Sequence, residues 1–418
     1  MRVAILAPGS LGNLVPYIAL ALGLREAGIE PVVATHPEFR ESIEDRGLEF
    51  ALIGGEGLFD QQRVKELQES GRNPITWARR AAALLEEQWD GIAADCMAAS
   101  ADADAMLFNA QGHAAYHIAQ RQGIPAIGAL YLPVSSTREF PHPLVAPGSR
   151  SMGRAGNALT YLVGEQMLWQ VMRKPVQRWR RQALGLEPLG AGGIIRAIER
   201  ERLPIVYGFS PAVVPRPSDW GDWLEVTGYW FLDPPDGWTP PADLERFLDA
   251  GSPPVYLGFG SSPIGDAGAT YALLRDALRR VGARAIVAGD WAGGVPGAAE
   301  DEDVFLLPGF VPFDWLFARV AAVVHHGGCG TTHEGLRAGV PSVLLPSYPD
   351  QFFFGRRVVA LNAGPQPIHK DKLTVDGLTA ALRTALGDRA MQRDAAEVGA
   401  RIREERGVRL AVERIESL

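Results

Sequence analysis

A chain of 418 residues, 47% hydrophobic and 22% charged, carries enough apolar material for two ordinary cores and is too long to be comfortable as one. Its net charge of −8, with no basic block, argues against nucleic acid or an anionic membrane surface as the main partner. The two cysteines, Cys96 and Cys329, lie far apart and lack metal-ligand spacing, so neither a disulfide framework nor a metal site is expected, and a reducing cytoplasm fits.

The first apolar run ends at Pro8-Gly9, too soon for a signal peptide, and no stretch approaches the ~20 apolar residues of a spanning helix. Residues 3–7 predict a strand, 14–27 a helix, 31–35 a strand and 38–46 a helix, with further strands at 105–108, 126–130 and 205–208. Repeated β-α order with short loops implies an α/β domain over residues 1–232, Rossmann-like, with a doubly wound parallel sheet and right-handed crossovers.

Between residues 139 and 181 a proline-rich start leads into a long pattern holding Met152, Leu159, Tyr161, Leu162, Met167, Leu168, Trp169 and Met172. Methionine and aromatic side chains mould a pocket to an irregular apolar ligand, or simply fill a helix core; both readings stand. The basic piece Arg173-Lys174 to Arg178-Trp179-Arg180-Arg181 has helical spacing and reads as a solvated face. Residues 233–244 contain Pro234, Pro235, Pro240 and Pro241, which cannot continue a helix or a central strand, and form the expected linker. Alternation resumes over 245–389, with strands at 255–258, 284–287 and 304–306 and a helix at 270–281, and residues 390–418 read as a charged amphipathic helix.

The most informative stretch follows the apolar run 321–324: His325-His326-Gly327-Gly328-Cys329-Gly330-Thr331-Thr332-His333-Glu334. Strand, glycine-rich turn and helix in that order let backbone N–H groups and a helix N-terminus face an anion, with diphosphate as the expected guest. The alternative is an ordinary turn that needs glycine only for its backbone angles. A second buried strand, 342–345, leads to Asp350 and Gln351 before an aromatic helix start at Phe352-Phe353-Phe354. Strands of an open parallel sheet present their carboxyl ends along one edge, so a carboxylate and an amide are expected beside the glycine turn, a pairing suited to a polyhydroxylated ligand.

Residues 326–351 resemble the donor-binding signature of the GT-B nucleotide-sugar glycosyltransferases, the family of plant and bacterial natural-product and sterol glycosyltransferases. The resemblance extends to residues 310–316, to 255–262, and to the opening loop Ala7-Pro8-Gly9-Ser10-Leu11-Gly12-Asn13. It implies two Rossmann-like domains facing a cleft, 1–232 for the acceptor and 245–389 for the donor, with 390–418 crossing back onto the first domain. It further implies His326 and Thr331 as phosphate contacts, together with the N–H groups of Gly328 through Thr332, Gly330 among them, and with Ser261 and Ser262 from the preceding loop. Glu334, three residues beyond Thr331 and expected in the first turn of the helix, would accept from the ribose hydroxyls and favours UDP over dTDP. Val311 would meet the base, Trp291 would pack near it, and Asp350 and Gln351 would hold sugar hydroxyls. The acceptor region of the family points to Met152, Tyr161, Met167 and Trp169.

Activity implied by the resemblance is inverting, metal-independent transfer of glucose from UDP-glucose to an apolar small molecule such as a sterol or natural product, with no cofactor besides that co-substrate. The family's opening loop carries an aspartate or histidine base where this chain has Asn13, and an amide takes no proton at neutral pH. Either another residue serves, with His113 and His142 the candidates by type, or the acceptor ionises unaided, or Asn13 only orients it. The same substitution keeps open a catalytically impaired or auxiliary nucleotide-sugar-binding protein, and the scaffold alone also admits a nucleotide-sugar epimerase or hydrolase.

Overall fold

A computed structural model describes residues 1–54, 74–145, 151–235, 237–260, 266–289, 295, 298 and 301–417. The first half winds through β1 (Arg2–Leu6), α1 (Leu11–Glu26), β2 (Glu30–Thr35), α2 (Arg40–Glu44), β3 (Glu49–Leu52), α3 (Pro74–Ala99), β4 (Ala105–Phe108), α4 (Ala114–Gln122) and β5 (Ala126–Leu130). It continues with α5 (Gly153–Gln182), α6 (Gly193–Glu201), β6 (Ile205–Tyr207) and β7 (Leu224–Val226). The second half holds α7 (Ala242–Asp249), β8 (Val255–Gly258), α8 (Ala267–Val281), β9 (Ala285–Ala288), β10 (Val304–Leu307) and α9 (Phe313–Phe317). After it come β11 (Ala322–His325), α10 (Cys329–Ala338), β12 (Ser342–Leu344), α11 (Pro349–Ala360), α12 (Val375–Gly387), α13 (Arg389–Glu404) and α14 (Gly407–Glu416).

Among the described residues two all-parallel sheets form, seven strands in the order β3-β2-β1-β4-β5-β6-β7 and five in the order β10-β9-β8-β11-β12. Strands such as β1, β4 and β11 are buried along nearly their whole length because helices cover both sheet faces, which is why they read as unbroken apolar runs. In each sheet the strand order reverses once, between β1 and β4 and between β8 and β11, and ligands of open α/β sheets bind at the carboxyl ends of strands at such points. The loop that leads into α1 and Asn13 leaves one of these points and the glycine turn after His325 leaves the other.

Each sheet has a core on both faces. Leu14, Tyr17 and Leu20 of α1 pack on Val3, Ile5 and Val33, and Ala411, Val412 and Ile415 of α14 join the same cluster. The C-terminal stretch expected as one helix is therefore two: α13 packs through Ala395, Val398 and Ile402 into a cluster shared by both halves, and α14 packs through Ala411, Val412 and Ile415 on the core of the first. A mixed cluster joins the halves, uniting Tyr207, Phe209, Trp220 and Tyr229 with Cys329, Leu336, Phe354 and Val398. The basic piece of α5 is only partly a solvated face. Arg178 pairs with Glu86 and Asp90, whereas Arg180 is buried, donating to the Glu187 carbonyl and to Gln120 Oε1 and standing 2.8 Å from His117 Nδ1.

Candidate functional site

The turn 326–328 is shorter than the sequence pattern implied, because α10 already starts at Cys329 with Gly328 as its N-cap. Cys329, Gly330 and Thr331 supply the first N–H groups of that helix, which have no intrahelical acceptor, whereas Thr332 N–H donates to Gly328 O at 3.0 Å and is taken. Glu334 accordingly sits in the second turn rather than the first, and the helix dipole alone does not account for it. Gly328 has ordinary extended backbone angles, φ −62° and ψ 151°, so strain is not what selects glycine. A Cβ there would strike Nε2 of His326, whose ring lies across the turn. Gly330 serves a different contact: its missing side chain admits the Tyr229 hydroxyl from the first half, 2.9 Å from where a Cβ would stand.

Burial pushes His326 down to about 4, against a smaller opposing effect of the Gly258 backbone, so the imidazole is neutral at physiological pH; its Nδ1 has no hydrogen bond. His325, the strand residue, is fully buried and its Nδ1 accepts from Gly327 N–H, which makes it a packed structural histidine. Burial also raises the Glu334 carboxyl to about 8, only partly offset by Arg337, whose guanidinium stands 4.0 Å away, and Oε2 of Glu334 accepts no hydrogen bond. Asp350 is raised by burial as well. Gln351 is committed locally, since its Oε1 accepts from the N–H groups of Ser347 and Tyr348 at 2.8 and 3.0 Å and caps α11. Val311 is buried, while the neighbouring Phe310, to which the sequence reading gave no separate role, exposes 60% of its surface. Ser261, Ser262 and Trp291 lie outside the described residues.

Across from α10, the loop after β1 is fixed from several sides. Thr35 Oγ1 donates to Ala7 O, Asn109 Nδ2 to Pro8 O, and Gly9 N–H to His36 Nε2. Asn13 lies in the first turn of α1, its Nδ2 and the Oε1 of Gln111 converging on Gly9, where φ is +144° and a side chain has no room.

Beside this loop the first half encloses a cavity of about 470 Å³ whose wall is overwhelmingly apolar. Phe108 ends β4 and Ala110 and His113 follow it, Leu130 ends β5 and Val134 follows it, Met167 and Leu168 belong to α5, Ile194, Ile195 and Ile198 to α6, and Trp220 and Trp223 precede β7. Of the four residues expected at an acceptor, only Met167 lines it. Trp169 is a core residue packed on Gly193, Met152 caps α5 with 56% of its surface exposed, and Tyr161 is buried behind His142 with ring centres 4.9 Å apart. The α6 isoleucines were missed, although their i, i+1, i+4 spacing is the apolar stripe of an amphipathic helix.

Both candidate histidines line the cavity, and burial pushes each down to about 4. His142 Nδ1 accepts from Leu144 N–H at 3.1 Å, so its basic lone pair is occupied. His113 Nε2 meets Met172 Sδ at 3.1 Å and its Nδ1 has no partner.

Tyr131 links the two regions. It follows the cavity residue Leu130, its carbonyl accepts from Cys329 Sγ at 3.3 Å, and burial, with smaller contributions from Cys329 and Asp350, pushes its phenol up. His333 pins the same helix to the first half: it stacks on Tyr229 with centres 4.6 Å apart, and its Nε2 accepts from Ser210 N–H.

Two family models match the chain, the glycosyltransferase family 28 N-terminal domain over residues 3–141 and the C-terminal domain of erythromycin biosynthesis protein CIII-like proteins over 274–408. The chain is similar to a sterol 3-beta-glucosyltransferase of Aspergillus clavatus, 34% identical over 426 residues, and to one of Neosartorya fischeri, 36% identical over 426 residues. Each alignment takes in 99% of this chain and 29% of the fungal protein, so the chain spans under a third of the length of these curated relatives. Among solved structures, the glycotransferase of kitacinnamycin superposes with a TM-score of 0.71 at 18% identity, covering 100% of this chain and 98% of that one. The glycosyltransferase VinC in complex with dTDP gives 0.65 at 19%, covering 100% and 99%. At such identity the likeness is one of fold.

Proposed function

We propose, for a chain that belongs to the GT-B family of nucleotide-sugar glycosyltransferases, that it moves glucose from UDP-glucose to a hydroxyl of a sterol or a similarly apolar natural product. The observation that carries this reading is the meeting, at Tyr131, of an open helix N-terminus with a neutral histidine beside it and an apolar cavity of about 470 Å³. Such a volume lies in the range of small-molecule sites, and a predominantly apolar wall with a few polar groups suits a sterol. The glucosyltransferase relatives supply the sugar and the acceptor class.

In this reading residues 1–232 take the acceptor, 245–389 take the donor, 233–244 form the linker, and 390–418 brace the two. The N–H groups of Gly328, Cys329, Gly330 and Thr331, the Thr331 hydroxyl and His326 receive the diphosphate, with Ser261 and Ser262 on its other side. A neutral imidazole donates a hydrogen bond without adding charge, and the helix end contributes its dipole, so the leaving group needs no metal. Asp350 and the free amide nitrogen of Gln351 hold the sugar, Glu334 accepts from the ribose, and Val311 with Phe310 meets the base.

Transfer is a single displacement. The acceptor oxygen bonds to the anomeric carbon as the bond from that carbon to the β-phosphate oxygen breaks, its electron pair leaving on UDP, and the configuration inverts. The acceptor proton departs late, when the attacking oxygen has become strongly acidic, so a weak base suffices. His113 has the unoccupied ring nitrogen for that step, while the Asn13 amide orients the acceptor. The amide at position 13 also favours a second reading, an auxiliary protein that binds the nucleotide sugar without turning it over.

Mass spectrometry of the protein incubated with UDP-glucose and a panel of hydroxylated apolar acceptors including sterols, run beside Asn13→Asp, tests the assignment. Transfer by the unmodified chain is expected, with Asn13→Asp faster by about 10-fold through general-base assistance. UDP binding without product from either protein overturns the transferase reading in favour of the auxiliary one.

A further inference from the structure

One polar group in the cavity wall is unexplained by the transfer step. Glu165, on α5 between the wall residues Gly164 and Met167, has a side chain only 1% exposed, and among the described residues neither carboxyl oxygen finds a hydrogen-bond donor. Arg196 of α6 stands 3.3 Å from Oε2 without the alignment of a hydrogen bond, and its own side chain is half exposed. Glu199, one turn further along α6, lines the same wall. The other titratable groups of the lining are His113, His142 and Asp219, and Asp219 is already engaged by Thr137 Oγ1 and Arg138 N–H. Burial, reinforced by Glu199 and opposed by Arg196, lifts the Glu165 carboxyl to about 7.

Packing does not call for a carboxyl at this place. The same cavity wall carries Met167, Leu168, Ile194, Ile195 and Ile198, and a leucine at position 165 would join them without loss of any hydrogen bond, giving up only the pairing with the half-exposed Arg196. Withdrawing a carboxyl from water and leaving it without a donor is unfavourable, and such a group is retained where a partner arrives from outside. The donor-facing end of the cavity is marked by Leu130, next to Tyr131, whereas Glu165 faces α6.

We propose that Glu165, with Glu199 beside it, is a specificity-determining anchor of this cavity, and that it selects acceptors carrying a second hydroxyl besides the one that receives the sugar. The inference rests on reading the cavity as the acceptor site. An acceptor hydroxyl donating to a carboxyl oxygen of Glu165 supplies the hydrogen bond that the pairing with Arg196 does not, and the same contact fixes which end of a long apolar molecule points to the donor.

The test uses two steroids that share nucleus and reacting hydroxyl, one of them bearing an additional hydroxyl at the opposite end. Each is titrated calorimetrically into the full chain, Glu165→Leu and Glu165→Gln, with UDP binding as the measure of an intact fold. The unmodified chain is expected to bind the diol about 10-fold more tightly, the scale of a hydrogen bond to a charged group. Glu165→Leu removes the preference and leaves the mono-ol bound as well or better. Glu165→Gln, which keeps the shape, narrows the preference and removes its pH dependence around 7, and it decides the matter if the leucine variant loses UDP binding. Equal affinity for the two steroids in the unmodified chain, or a diol preference that survives both substitutions, overturns the anchor while leaving the cavity as the acceptor site. Failure of both steroids to bind at all, with UDP still bound, overturns the cavity reading and the anchor with it.

Discussion

The two halves build their sites by different means. In the second half the helix-end groups assigned to the diphosphate come from one short run: strand end, three-residue turn and first helical turn, with His326, Gly328 and Thr331 within six positions. In the first half the cavity draws on residues from Phe108 to Leu224, carried by strand ends, α5, α6 and the loop before β7. An anion is held by backbone geometry that one sequence segment can encode. An apolar ligand is held by shape, which many distant side chains share.

The sharpest break of this contrast is Gly328→Val. Its side chain collides with His326 and crowds the helix end, so UDP affinity is expected to fall by roughly 100-fold, the scale of losing an oxyanion donor, while steroid binding is unchanged. Calorimetry with each ligand decides it, and a parallel loss of both would mean that the two sites are not separable.

The converse is Ile195→Trp, which fills the cavity from α6. Acceptor KM is expected to rise by about 30-fold with UDP affinity intact, as for an overpacked apolar pocket. An unchanged KM would place the acceptor elsewhere.

A smaller effect separates donors. Glu334→Gln is expected to reduce the preference for UDP over dTDP by about 3-fold, since one hydrogen bond to the ribose is weakened, and competition between the two nucleotides measures it. No change in the ratio removes Glu334 from the ribose.

The smallest concerns stability across both halves. His113, His142, His326 and His333 are each lowered from 6.5 to about 4, so the folded chain refuses protons that the unfolded chain takes up, and stability present above pH 6.5 is lost as pH falls toward 4. Glu165 and Glu334 are raised from 4.5 to about 7 and 8, so stability present below pH 4.5 is lost as pH rises through those values. The histidines outweigh the glutamates below 6.5 and only the glutamates act above it. The melting temperature is thus expected to peak near pH 6.5 and fall by a few degrees on either side. A melting temperature that climbs steadily to pH 8 would contradict the raised carboxyls.

Reading the strands from composition worked where they are central. Residues 3–7, 105–108 and 321–324 are unbroken apolar runs because both faces are buried, whereas the edge strands β3 and β7, partly exposed, carry no such run and went unseen. Gln351 was legible as a polar residue at a strand end, and its work as a cap of α11 was not, because that depends on the turn taken by Ser347 and Tyr348. Met152 and Trp169 have the right chemistry for an apolar ligand, yet one is exposed and the other is core, since a helix of 30 residues turns its faces toward different neighbours.

By itself the sequence determined the parallel α/β architecture and the glycine turn with its histidine, because buried strands, φ-permissive residues and helix starts are local properties of adjacent residues. Only the tertiary structure decided which side chains line the cavity, that α10 begins at Cys329, that Gly330 makes room for Tyr229, and that Glu165 is buried in the cavity wall without a hydrogen bond. These depend on which distant surfaces meet, and burial, which sets the pKa shifts of His326, Glu165 and Glu334, exists only once they have met.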